Sequence, residues 1–115
     1  MKSTKYLETH YPEIAKGFKE IQKQQYELFA KKMLTYGKDN ISMGTNLSDQ
    51  KSIKLSLTAI WVRMNDKVNR LKNLVIFNNK NFLSKGEPTL DSWKDITNYA
   101  IIAQLVTLGI WRKDG

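Results

Sequence analysis

Arg63, Asp66, Lys67 and Arg70 follow a 3-1-3 spacing. On a helix they share one face, with Asp66 in reach of Arg63 three residues before it and of Arg70 four residues after it. Two chemistries fit that stripe. Guanidinium forks grip phosphate through paired hydrogen bonds, and a carboxylate between them holds a fork in place, which makes an anion clamp. The same spacing also makes a solvated ladder of ion pairs, which adds little to stability.

A second stripe, Asp91, Asp95 and Asn98, is spaced 4 and 3 and is rich in oxygen. Two carboxylates one turn apart repel unless a cation lies between them. A Mg²⁺ site on this stripe would suit a hard cation, which takes one or two carboxylates together with substrate phosphates. Helix-dipole complementation by Asp91, with an ion pair from Asp95 to Lys67 or Arg70, satisfies the same residues without a metal. A third candidate is the stretch Tyr36-Gly37-Lys38-Asp39-Asn40. There Tyr36 and Asn40 could meet a ligand, or the glycine could simply stop a helix.

Three long helices must position these residues. The first is predicted from Pro12, a favoured first-turn residue, to Gly37, a natural terminator, with His10 lying before it. Residues 37–47 read as a loop, and Ser48 offers an N-cap. The second helix is predicted to reach about Phe77. Its core stripe is Ile53, Leu57, Ile60, Met64, Val68, Leu71 and Val75. Asparagines and glycine mark a loop over 78–88, and the third helix runs from Pro88 or Thr89 to about Trp111. It is apolar on nearly all sides from Tyr99 onward, so it is expected at the centre, with its core completed by homo-oligomerisation. Trp61, Trp93 and Trp111 are expected as core or interface anchors. No internal repeat and no useful β-alternation is read. The expectation is therefore an all-α bundle of three long helices plus an N-terminal segment, in a single domain over 1–115.

Composition narrows the chemistry. There is no cysteine and one histidine among 115 residues, which excludes disulfides, thiolate metal sites and a thiol nucleophile, and fits a cytoplasmic protein. The formal charge of +8 attracts anions such as nucleotides or nucleic acid, but the lysines are spread along the chain and form no basic tail. Neither a leader peptide nor an apolar run of membrane-spanning length is read. No Walker A loop or GxGxxG is present. If the chain is an enzyme, metal-assisted hydrolysis at phosphate is the class its residues permit.

Collectively the segments YELFAKKMLTYGKDNI, WVRMNDKVNRLKNL and EPTLDSWKDITNYAIIA resemble the phage and bacterial family called nucleotide modification associated domain 1, over about residues 18–106. The resemblance implies a small phage-linked protein of modified-nucleotide metabolism. More remotely, the layout is similar to the MazG-type all-α nucleoside triphosphate pyrophosphohydrolases. Those hold Mg²⁺ with E-E-x-x-E on one helix and E-x-x-D on the next. Carried over, Asp66 would stand in the first motif and Asp91 or Asp95 in the second. This chain has one carboxylate where three are expected, Arg and Lys around it, and Ser92 where the second motif wants glutamate. Fewer carboxylates and more cations favour binding over turnover. The expected ligand is a nucleotide or nucleotide-derived molecule. Arg63, Lys67, Arg70, Asn98, Tyr36 and Asn40 would contact it, either in nucleotide metabolism or as a sponge that sequesters a defence signal. A Mg²⁺-dependent pyrophosphohydrolase and a nucleic-acid-binding protein are the alternatives.

Overall fold

In a computed structural model the described residues, 2–77 and 88–112, are mostly helical and form no strand. The elements are α1 (Lys2–His10), α2 (Pro12–Tyr36), α3 (Asp39–Ser42), α4 (Gln50–Leu71) and α5 (Pro88–Thr107). A wider π-helical turn, Lys72–Phe77, extends α4. The loop predicted over 78–88 lies almost wholly outside the described residues. No helix among them is long and apolar enough to cross a membrane. Two compact units are formed, residues 1–35 and 36–115.

The first unit holds α1 and most of α2. The segment before Pro12 is itself helical, and His10 closes α1 with its ring 4.2 Å from that of Tyr6. Pro12 lacks an N–H but can open a helix, so it begins α2 without ending the helical trend before it. Tyr11 N–H still donates to the Leu7 carbonyl, and Ala15 N–H to that of Tyr11. An ion pair of 2.9 Å between Lys19 and Glu8 joins the two helices.

In the second unit α5 and α3 both pack on α4. Gly37 adopts a positive φ immediately after α2, as a terminating glycine should. The predicted loop that follows contains one helical turn, α3, with Ile41 and Ser42 buried. The N-cap of α4 is Asp49 and not Ser48. Asp49 has the extended backbone a cap needs, and its carboxylate accepts the Ser52 N–H at 2.7 Å, bringing negative charge to the positive helix end.

The predicted face of α4 is turned. Ile60 and Leu71 are buried, but Val68 is 48% exposed while Ser56 is wholly enclosed. With about 100° between successive residues, the inward face is rotated by roughly 40° from the apolar stripe. That rotation brings Ser56 and Lys67 inward and leaves Trp61 and Val68 outside.

The third helix ends at Thr107, short of the predicted Trp111. Gly109 takes a positive φ and reverses the chain, and Ile110 and Trp111 N–H groups close back on the Leu105 carbonyl. The reversal buries Trp111, whose indole N–H donates to the Lys38 carbonyl at 3.1 Å. Lys38 in turn donates its ammonium to the Arg112 carbonyl. Trp111 is thus a core anchor, whereas Trp61 and Trp93 are exposed. Helix α5 is apolar all round only in composition. Ile102 and Val106 face inward, and Ile101 faces out.

Candidate functional site

Two contacts organise the polar side of α4. The Arg63 guanidinium donates from Nη2 to the Asn40 carbonyl at 3.2 Å and to Asn40 Oδ1 at 3.3 Å. Two turns earlier, Ser56 Oγ donates to the Ile41 carbonyl at 2.7 Å. These bonds fix α3 against α4 at two points, and both donors occupy positions a purely apolar stripe would leave to Ile or Leu.

One turn beyond Arg63, about 6 Å along the helix axis, Lys67 Nζ lies 3.2 Å from Asp95 Oδ2. The pair is half-buried, with 32% of the lysine and 16% of the aspartate side chain exposed. It brings the end of α4 beside the beginning of α5. On α5 the inward positions Thr89, Ser92 and Asn98 are buried and all polar, and Ile102 and Val106 continue them. The helix pair is therefore apolar at one end and polar at the other.

Of the residues singled out from sequence, the structure pairs Arg63 with Asn40 and Lys67 with Asp95. Asn98 is buried three residues after Asp95 on the same helix. The remaining four lie elsewhere. Asp66 and Arg70 are exposed on α4, and Asp66 forms no ion pair among the described residues. Asp91 is exposed in the first turn of α5. Tyr36 lines a separate pocket of about 400 Å³ with Gly37, Lys38, Asp39, Ser42 and Trp111. No three acidic or imidazole side chains gather in one place among the described residues.

Sequence reasoning missed Ser56 and Ser92, the hydroxyls buried on the inner faces of α4 and α5. Their signal was their four-residue and three-residue spacing from Ile60 and Asp95 respectively, which a search for apolar periodicity passes over. None of the family models, curated proteins or solved structures compared with this chain matches it.

Proposed function

We propose that the second unit binds a nucleotide or a nucleotide-derived ligand at the polar end of the α4–α5 pair. Arg63, Lys67 and the exposed Arg70 would serve the phosphate. Asp95 and Asn98 would serve the base or ribose. The supporting observation is the half-buried Lys67–Asp95 pair. An ion pair withdrawn from water is a poor source of stability compared with apolar packing of the same volume. Its place between two helices that carry spare Val and Trp on their outer faces suits recognition better than folding. An incoming phosphate would take the Lys67 ammonium, and the released Asp95 carboxylate would accept hydrogen bonds from the rest of the ligand.

The same proposal places the protein in the cytoplasm as a homo-oligomer. The resemblance over residues 18–106 supports a phage setting, in modified-nucleotide metabolism or in sequestering a nucleotide signal. For Mg²⁺-dependent pyrophosphate hydrolysis the carboxylates fit poorly. Asp95 is engaged by Lys67, and Asp66 and Asp91 stand exposed without a third group beside them. Binding without turnover is thus the better supported of the two.

Titration calorimetry with nucleoside mono-, di- and triphosphates tests the proposal. Saturable heat is expected from at least one of them, with Lys67→Ala weakening it tenfold or more, about 1.4 kcal/mol. No heat with any nucleotide at millimolar concentration would overturn it. Release of pyrophosphate in the presence of Mg²⁺, lost in Asp95→Ala, would establish the enzyme instead.

A further inference from the structure

The first unit carries a seven-residue recurrence that the helical reading of its sequence passed over. Residues 11–31 divide into Tyr-Pro-Glu-Ile-Ala-Lys-Gly, Phe-Lys-Glu-Ile-Gln-Lys-Gln and Gln-Tyr-Glu-Leu-Phe-Ala-Lys. Glu13, Glu20 and Glu27 share one place in the repeat, Ile14, Ile21 and Leu28 the next, and Tyr11, Phe18 and Gln25 the first. Apolar residues at alternate spacings of 3 and 4 form a seam that drifts slowly around a helix, and it stays covered only if a second helix winds along it.

That seam is open at its N-terminal end. Tyr11, Ile14, Phe18 and Ile21 are 52%, 63%, 62% and 57% exposed. The charged positions of the repeat, Glu13, Lys16, Glu20 and Lys23, lie on the far side of the helix from it. A soluble domain seldom leaves such a row uncovered. A row of this period fits a helix as its occupant.

We infer that the occupant is the same seam of a second copy of this chain. Along the exposed stretch the places that flank a coiled-coil seam are taken by Ala15, Gly17, Gln22 and Gln24, and a charge enters them only at Lys31 in the third repeat. Two copies of a chain with a charge of +8 can thus meet along it without like charges opposed. An oppositely charged partner would find nothing there to pair with. Four side chains more than half exposed present on the order of 400 Å² per copy, since aromatic residues alone cover roughly 150–250 Å² when fully buried. About 800 Å² over both copies is less than a stable interface buries and suits a weak, reversible one, so association in the high micromolar range is expected. This inference is independent of the ligand proposed for the second unit.

Sedimentation equilibrium across the micromolar range tests it on the full chain. The mass should rise with concentration from 13.4 kDa toward twice that value. Phe18→Glu should hold it at the single-chain mass with the helical circular dichroism unchanged, while Phe18→Leu should leave the association intact. A wild-type chain that stays monomeric throughout, or an oligomer that Phe18→Glu does not dissociate, would overturn the inference. Should Phe18→Glu lose helix, Tyr11→Lys at the margin of α2 decides on the same terms.

Discussion

The two units use their helices in opposite ways. In the second, polar side chains occupy the inner faces. Ser56 and Lys67 on α4 meet α3 and α5, and Ser92, Asp95 and Asn98 turn inward on α5, while Trp61, Val68 and Trp93 stay outside. In the first, the charges are outside and the apolar row has no cover from Tyr11 to Ile21. Polar groups placed inside cost stability unless each is matched, and here Ser56 is matched by the Ile41 carbonyl and Lys67 by Asp95. Apolar groups placed outside imply something to cover them. Under the two proposals made above, the difference separates a surface for a ligand from one for a copy of the chain.

Truncating one isoleucine in each unit is the sharpest way to break the comparison. Ile60 is 1% exposed, and Ile60→Ala should destabilise by about 2–5 kcal/mol, through lost contacts and the cavity left behind. Ile14→Ala in the first unit should change the stability of the single chain by less than about 0.5 kcal/mol, as exposed substitutions do. It should weaken self-association instead. Chemical denaturation at low protein concentration measures the first effect, and sedimentation the second. Similar losses of chain stability from both would mean that Ile14 is already covered within one chain.

A smaller effect separates recognition from folding at the polar end. Asp95→Ala leaves the Lys67 ammonium half-buried without its partner, which should cost on the order of 1–3 kcal/mol. Replacing both partners, Lys67→Met with Asp95→Leu, should restore stability to the wild-type value or above it. The double variant should nonetheless bind no nucleotide. Calorimetry of ligand binding beside a thermal melt reads both quantities. A double variant that melts well below wild type would show that the pair serves the fold.

Part of this was legible in the sequence and part was not. Long helices announced themselves, because Ile53, Leu57, Ile60, Met64 and Leu71 recur at helical spacing and Gly37 stops the chain where a left-handed residue is needed. The rotation of α4 did not. Its apolar stripe points midway between what is buried and what is exposed, and the choice is made by the Ser56 bond to Ile41 and by the Lys67–Asp95 pair. Both join residues far apart in the chain, which periodicity cannot register. Pairing of the two polar stripes was readable only as a possibility, since Asp95 could equally have met Arg70. Trp111 was hidden for a different reason. A single glycine at 109 ends α5 early and turns the indole inward, whereas continuation of the helix would have placed it elsewhere. In the first unit the repeat was present in the letters. Over three repeats, though, a period of 3.5 drifts from 3.6 by only about 20° per repeat, and the recurring Glu and Lys were what distinguished it.

The smallest effect belongs to the boundary between loop and α4. Hydrogen bonds from the Ser52 backbone N–H, and then from its side chain, hold the Asp49 carboxyl below the usual carboxylate range. A carboxyl whose folded value is depressed favours the fold above its unfolded value, and that contribution disappears as pH falls through the folded one. The loss should therefore fall below about pH 4, where an ordinary aspartate takes up its proton. Asp49→Asn keeps an oxygen acceptor for the Ser52 N–H but has nothing to titrate. The Tm of the wild-type chain should thus drop toward that of Asp49→Asn between neutral pH and about pH 3, the gap narrowing only at the acidic end. A gap that stays constant across this range would show that the cap works through its hydrogen bond alone and draws nothing from its charge at the helix end.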